Sequence, residues 1–64
     1  MNTFEIDGQQ VTNYTNLNQQ RIRQYAMSVQ WNKKQLVDTP IGVLSIGFEG
    51  DVLAVRVEKV HRTL

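Results

Sequence analysis

Cysteine is absent from this sequence, and histidine and proline each occur once. Without cysteine the chain has no disulfide, no thiolate nucleophile and no zinc site built on cysteine ligands. A tetrahedral zinc site usually takes several histidine or cysteine ligands, and His61 alone does not provide them. The sequence also lacks the motifs of phosphate-binding loops, dinucleotide-binding folds and calcium-binding loops. We therefore expect neither a metal nor another cofactor.

Long apolar runs are missing as well. The first eight residues are polar and acidic and lack the basic and apolar regions of a signal peptide. No stretch approaches the roughly 18 apolar residues that a membrane-spanning helix needs. The lack of cysteine fits a reducing compartment. We therefore expect a cytoplasmic protein that has no membrane partner.

The short length of the chain limits how stable it can be. Residues 1–64 can form a single small domain, and a domain of this size buries only about 60% of the surface that its unfolded chain exposes. Natural domains this small are often stabilised by disulfides, by a metal or by a partner subunit. Because the composition argues against the first two, we expect the protein to form a homodimer.

A first hairpin is predicted over residues 3–12. Asp7-Gly8 lies between two runs of alternating apolar and polar residues, and Asp-Gly is a preferred pair for a type I′ turn. With this pair at the tip, three apolar side chains fall on one face of the hairpin: Phe4, Ile6 and Val11. We expect that face to be buried.

A helix is predicted from about residue 17 to about residue 34. Four residues recur at the spacing of one buried helical stripe: Ile22, Tyr25, Ala26 and Val29. Thr15 or Asn16 is placed to cap the beginning of the helix. Lys33 and Lys34 fall in its last turn, where cations complement the helix dipole.

A second hairpin is predicted over residues 43–58. Gly50-Asp51 suits a two-residue type II′ turn, which favours glycine in its first position. This turn pairs six apolar residues on one face, Phe48 with Leu53, Ile46 with Val55 and Leu44 with Val57, and it pairs Val43 with Glu58 on the other face. A shift of one residue would destroy the separation of the two faces, so the register is well specified.

Together these elements predict an α+β fold, a β-hairpin–α-helix–β-hairpin (ββαββ) with one helix packed on a four-stranded antiparallel sheet. The order of the strands in the sheet cannot be read from the sequence. The second face of the sheet is expected to be partly apolar, through Val43, Gly47, Val52 and Ala54. This face and the open sheet edges are possible contacts in a two-fold dimer.

No catalytic site is predicted. Ser45, Arg56 and Glu58 are the polar residues that the second hairpin brings together. No general base accompanies the serine, so a solvated cross-strand ladder explains them better than nucleophilic catalysis does. His61 follows the last predicted strand, and we expect it to be exposed. We therefore expect that the protein is not an enzyme.

A second face of the predicted helix is the candidate partner-binding site. Arg23, Met27, Trp31 and Lys34 follow the i, i+4, i+8, i+11 spacing. Tryptophan, methionine and arginine are enriched at the centres of protein interfaces. The alternative interpretation is that Met27 and Trp31 widen the buried stripe. On the first interpretation the protein is a small accessory or regulatory factor, of bacterial or phage type, that docks on another protein.

A nucleic-acid-binding module is the alternative function. Residues 21–34 contain Arg21, Arg23, Lys33 and Lys34 and no acidic residue. Cations next to an aromatic ring can contact single-stranded nucleic acid, where bases stack and phosphates pair. The net charge of +1 argues against this function, because nucleic-acid-binding domains usually have a stronger basic bias.

Overall fold

A computed structural model describes residues 2–61. In this region the chain forms, in order, β1 (Asn2–Ile6), β2 (Gln9–Asn13), α1 (Gln19–Met27), β3 (Gln35–Thr39), β4 (Gly42–Glu49) and β5 (Val52–Val60). The strands form one sheet in the order β1-β2-β5-β4-β3. Neighbouring strands are antiparallel, except that β2 and β5 are parallel.

The α+β class is confirmed, but the predicted ββαββ arrangement is incomplete. A fifth strand, β3, lies between the helix and the second hairpin. The sheet is mixed and not purely antiparallel, because the first hairpin joins the second through the parallel pair of β2 and β5. This pairing joins Val11 to Leu53 and Asn13 to Val55, positions far apart in the chain.

The first hairpin has the predicted register, with Phe4 opposite Val11. Asp7 and Gly8 at its tip both have positive φ, 49° and 84°, as a type I′ turn requires. Ile6 and Val11 are fully buried. The local turn chemistry therefore determined both the register and the buried face of this hairpin.

The second hairpin keeps its predicted register from the tip as far as the pair of Leu44 and Val57. Gly50 has a φ of 65° and Asp51 does not have a positive φ, as expected for a type II′ turn. Beyond Leu44 the register shifts, and Val43 pairs with Lys59. The predicted pair of Val43 and Glu58 is therefore wrong, because a β-bulge adds one residue to β5 at this point.

Glycine is required at the beginning of β4. Gly42 has a φ of 150°, and a Cβ atom at this position would collide with the carbonyl oxygen of Lys59 in β5. The bulge thus brings the two backbones closer together than any side chain allows.

The helix begins later than predicted. Its N-cap is Asn18, whose side-chain oxygen accepts a hydrogen bond from the backbone N–H of Arg21 at 2.8 Å. The prediction that Thr15 or Asn16 caps the helix is therefore wrong.

The buried side chain of Asn13 explains the late start. Its amide donates to the carbonyl oxygen of Leu17 at 2.7 Å, and its oxygen accepts from the N–H of Thr15 at 2.8 Å. These bonds hold the backbone of residues 14–17 in a turn, so the helix can begin only after it.

The helix also ends earlier than predicted, at Met27. The hydroxyl of Ser28 donates to the carbonyl oxygen of Tyr25 at 2.7 Å, and the indole N–H of Trp31 donates to that of Ala26 at 2.8 Å. The same two carbonyl oxygens also accept from the backbone N–H groups of Ser28 and Val29, so each receives a second hydrogen bond at the end of the helix. Within residues 2–61 no helix has the length and apolar character needed to cross a membrane.

The core lies between α1 and one face of the sheet. It contains eight fully buried side chains: Ile6, Val11, Ile22, Ala26, Leu44, Ile46, Leu53 and Val55. Two other residues predicted on this face, Phe48 and Val57, are 46% and 36% exposed. Phe48 lies beyond the last pair of β3 with β4, and Val57 lies beyond the last pair of β2 with β5, so each lacks a neighbouring strand on one side.

Candidate functional site

The face of the sheet that points away from α1 contains a groove, which we call the open-face groove. It has a volume of about 300 Å³. Its first wall is the segment of residues 31–34, and Glu49, Arg56 and Glu58 line it from β4 and β5. Phe48 alternates to the α1 face of β4 and borders the groove near the end of this strand. The floor of the groove consists of small residues of β4 and β5, namely Ser45, Gly47 and Ala54.

The small residues of the floor are largely shielded from water by the backbone of the first wall. Ser45 and Ala54 are buried, and they lie on the same face because Ser45 pairs with Arg56 and Gly47 with Ala54. A Cβ atom on Gly47 would lie 3.3 Å from the Cα atom of Lys34. The backbone of the first wall therefore rests directly on β4 at Gly47, and this position favours the residue without a side chain.

Lys34 crosses the groove from the first wall to β5. Its backbone lies beside Gly47, while its Nζ atom is 2.9 Å from Oε1 of Glu58. The hydrogen bond and the positive charge of Lys34 lower the pKa of Glu58, and the hydroxyl of Ser45 contributes in the same direction. Lys34 and Glu58 thus close one end of the groove with a solvated ion pair.

Arg56 is held on the opposite side. Its Nε and Nη2 atoms donate to the two carboxylate oxygens of Glu49 at 2.7 and 2.9 Å. Its guanidinium lies over the ring of Tyr14, 3.9 Å from the centroid. The hydrogen bond from Arg56 lowers the pKa of Glu49, and the same contact raises the pKa of Arg56. A bidentate pair stacked on a ring has a defined orientation.

Two aromatic side chains line the groove. Trp31 is half-buried, packs against the core and also lines the groove. Phe48, which is 46% exposed, is the second aromatic residue that lines it. Lys34 and Arg56 already have carboxylate partners. The groove therefore offers aromatic surface, a small-residue floor and charges that are mostly neutralised by one another.

The structure does not arrange the predicted partner-binding residues as one helical stripe. The stripe of Arg23, Met27, Trp31 and Lys34 does not form, because α1 ends at Met27. Arg23 donates to the carbonyl oxygen of Glu5 at 3.4 Å, and Met27 is 58% exposed. Trp31 and Lys34 instead belong to the open-face groove. Binding of a partner by these four residues stays a prediction.

The four cations of the nucleic-acid alternative are divided between two parts of the fold. Arg21 and Arg23 lie on α1, whereas Lys33 and Lys34 belong to the groove wall on the other face of the sheet. The prediction that Lys33 and Lys34 end the helix is wrong, because the chain leaves the helix before it reaches them. The basic segment of the sequence is therefore not one continuous basic surface.

His61 is exposed, as predicted, but it has a partner. Its Nε2 atom is 2.7 Å from Oδ1 of Asp38, and its backbone N–H donates to the carbonyl oxygen of Ile41 at 3.1 Å. These contacts hold the end of β5 against the turn between β3 and β4. Among residues 2–61, no three histidine or acidic side chains lie close enough to hold a metal ion.

The sequence identified part of this site and missed the rest. The register of the second hairpin brought Ser45, Arg56 and Glu58 together. Tyr14 was missed because it reaches Arg56 only through the parallel pairing of β2 with β5, which has no local signal. The wall of residues 31–34 was missed because those residues were assigned to the helix.

Comparison of the chain with models of protein families, with curated proteins and with solved structures finds no match.

Proposed function

We propose that this protein is a non-enzymatic accessory or regulatory factor that docks on another protein, and that the open-face groove is its docking site. The occupant is an exposed segment of the partner that inserts an aromatic or aliphatic side chain between Trp31 and Phe48. The cytoplasmic location and the bacterial or phage origin are further parts of this proposal, and they depend on the sequence alone.

The observation that carries the proposal is the placement of two aromatic side chains beside a floor of Ser45, Gly47 and Ala54. Interface centres are enriched in aromatic residues and arginine and depleted of unpaired charge. Phe48 is a large apolar side chain that the fold leaves 46% exposed, whereas Leu44 and Ile46, at alternate positions of the same strand, are fully buried. Covering it would remove apolar area from water at no cost in unpaired polar groups.

The pairing of charges in the groove supports a protein partner over nucleic acid. Lys34 is bound to Glu58 and Arg56 to Glu49, so a phosphate would have to displace a carboxylate in each case. Within residues 2–61, Lys33 is the cation of the groove that makes no ion pair. One such cation provides little of the attraction on which phosphate binding depends.

The surroundings of Ser45 support a non-enzymatic role. The carboxylate nearest to it in the groove, Glu58, is held by Lys34, and its lowered pKa makes it a weaker base. His61 pairs with Asp38 and does not line the groove. Ser45 is itself buried, whereas a serine nucleophile requires a hydroxyl that the substrate can reach and a base that is free to take its proton.

A selection from a displayed library of random peptides tests the proposal. We expect the enriched peptides to share an aromatic or large aliphatic residue and to change the fluorescence of Trp31, the single tryptophan of the chain. Phe48→Ser should weaken their binding about tenfold, because the substitution removes roughly 1.4 kcal/mol or more of apolar contact.

Met27→Ser is the matched control, because Met27 is similarly exposed but lies on α1 outside the groove. It should leave peptide binding unchanged. If no peptide is enriched, or if Met27→Ser weakens binding as much as Phe48→Ser does, the groove is not the docking site. Binding of single- or double-stranded oligonucleotides at low salt, with affinity that falls steeply as salt is added, would favour the nucleic-acid alternative instead.

A further inference from the structure

The end strand β3 has an unpaired edge. It forms the last position of the sheet and pairs with β4, with Thr39 opposite Gly42 across the two-residue turn of Pro40 and Ile41. In an antiparallel ladder, hydrogen-bonded pairs alternate with pairs that are not hydrogen-bonded. Because the pair that flanks a two-residue turn is hydrogen-bonded, Leu36 and Asp38 direct their backbone N–H and C=O groups outward. An outward row of this kind is a template for another strand.

The other open edges of the sheet each have a feature that hinders pairing. On β1, the carbonyl oxygen of Glu5 accepts a hydrogen bond from Arg23. On β5, the stretch that continues past its pairing with β2 contains the bulge and three charged residues, Arg56, Glu58 and Lys59. Bulges and charged side chains are the usual means by which natural sheets prevent edge pairing.

By contrast, β3 has no bulge, and in the described part of the chain no side chain bonds to its outward backbone groups. Its residues Gln35–Thr39 contain one charge, no proline and no bulge in their pairing with β4. Leu36 is 62% exposed, more than any other large apolar side chain among residues 2–61. The part of the chain that the structure describes contains no side-chain hydrogen bond to the backbone of Leu36 or Asp38.

We propose that β3 pairs with β3 of a second copy of this chain, antiparallel, with Val37 on the two-fold axis. This register places Leu36 opposite Asp38 of the second copy and forms about four backbone hydrogen bonds from the outward groups of these two residues. The two Leu36 side chains become diagonal neighbours on the open face, within reach of each other. The two Asp38 side chains form the other diagonal of this face, and each lies directly opposite a Leu36 side chain, so no like charges face each other directly.

The proposed dimer is independent of the docking function and compatible with it. A two-fold axis perpendicular to the sheet continues the sheet across both copies, with both α1 helices on one face and both grooves on the other. The groove lies over β4 and β5, so pairing at β3 leaves it open. A five-residue strand pair is smaller than a standard stable interface, so we expect weak and reversible association.

Sedimentation equilibrium over a range of protein concentrations tests the pairing. The mass of the wild-type protein should rise from 7.4 kDa towards twice that value. Leu36→Asp should remain a monomer, because it places like charges directly opposite each other. Leu36→Asp with Asp38→Lys should restore the dimer, because each introduced aspartate then faces an introduced lysine of the other copy.

Two single variants serve as controls for these substitutions. Asp38→Lys alone removes the contact with His61 and should retain part of the dimer, since the introduced lysine would face the uncharged Leu36 of the second copy. Met27→Asp changes an exposed apolar side chain on α1 and should dimerise like the wild-type protein. A wild-type mass of 7.4 kDa at all concentrations, or a failure of the double substitution to restore dimers, would refute the pairing.

Cross-linking tests the register itself. The chain has no cysteine, so Val37→Cys introduces a single thiol on the proposed axis, where the two Cβ atoms would be about 5 Å apart. We expect mild oxidation to convert Val37→Cys to a disulfide-linked dimer at least about tenfold faster than it converts Met27→Cys. Equal rates for the two variants would show that β3 does not pair in this register.

Discussion

Arg56 shows how a residue in the middle of the sheet can organise its open face. Its guanidinium is bound by both oxygens of Glu49 and stacked on the ring of Tyr14. The three residues come from β4, β5 and the end of β2, so the contact depends on both strand pairings of β5. Ion pairs on an exposed surface usually contribute little to stability, and here the larger effect is to fix the shape of the groove.

The ion pair of Glu49 and Arg56 predicts a dependence of stability on pH. The pKa of Glu49 is lower in the folded protein than in the unfolded chain. The pair therefore stabilises the fold above the unfolded-state pKa of about 4.3, and this contribution is lost as the pH falls through the lower folded-state pKa. We expect the difference in unfolding free energy between the wild-type protein and Glu49→Gln to shrink as the pH falls from about 7 to about 2.

Urea denaturation at each pH measures this difference. In the background of Arg56→Gln the same substitution of Glu49 should have a smaller effect that depends less on pH, because the partner that lowers the pKa is gone. An effect of Glu49→Gln that is the same at both ends of the pH range would contradict the prediction.

Trp31 is predicted to support the fold as well as the groove. Its indole N–H satisfies the carbonyl oxygen of Ala26 at the end of α1, and its ring packs on the core. We expect Trp31→Ala to lower the free energy of unfolding by about 3 kcal/mol. Trp31→Phe, which keeps an aromatic ring but no donor, should cost about 1 kcal/mol. Urea denaturation checks both values, and equal costs would show that the hydrogen bond carries the whole effect.

At the scale of elements, α1 shows that a periodic pattern does not determine where a helix ends. The stripe of Ile22, Tyr25, Ala26 and Val29 predicted a helix correctly, but Val29 lies beyond its last residue, Met27. Its partly buried side chain still packs against the core. An apolar residue that follows the helix and packs on the same core can therefore continue the helical spacing in the sequence.

The two candidate caps of α1 provide a test at this scale. Asn18→Ala removes the side-chain oxygen that accepts from the N–H of Arg21, and we expect it to cost about 1 kcal/mol of unfolding free energy. Asn16→Ala is the matched control, because Asn16 is an exposed residue of the same type two positions earlier. Thermal denaturation followed by circular dichroism should separate the two variants. A larger loss of unfolding free energy for Asn16→Ala than for Asn18→Ala would show that Asn16 is the N-cap and that the helix begins earlier.

At the scale of the whole molecule, β5 connects the two hairpins into one sheet. The strand lies in the centre of the sheet between β2 and β4, so the last strand of the described chain joins the first hairpin to the second. Domains of this size have little stability to spare. A further strand pair across a dimer axis would increase the stability of the folded chain.

The proposed dimer predicts that stability depends on protein concentration. Because dimers form only from folded chains, raising the concentration should raise the urea midpoint of the wild-type protein. Leu36→Asp should have a midpoint that does not change with concentration. A concentration-independent midpoint for the wild-type protein, together with a constant monomer mass, would argue against the dimer.

Local sequence was enough to predict the two hairpins, including their turns, most of their register and most of the side chains they bury. This was possible because the turn of Asp7-Gly8 and the turn of Gly50-Asp51 act on neighbouring residues, and because alternation along a strand assigns each side chain to a face. It also determined the presence of one amphipathic helix. These features depend on interactions between residues close together in the chain.

Contacts between distant parts of the chain set four features: the end of α1, the strand β3, the parallel pairing of β2 with β5 and the groove that these elements create. The side chains of Asn13 and Trp31 shorten the helix by bonding to backbone groups that a longer helix would have used. The pairing of Asn13 with Val55 brings together residues that share no local pattern. Such contacts are selected by the packing of the whole core, so no short window of the sequence contains them.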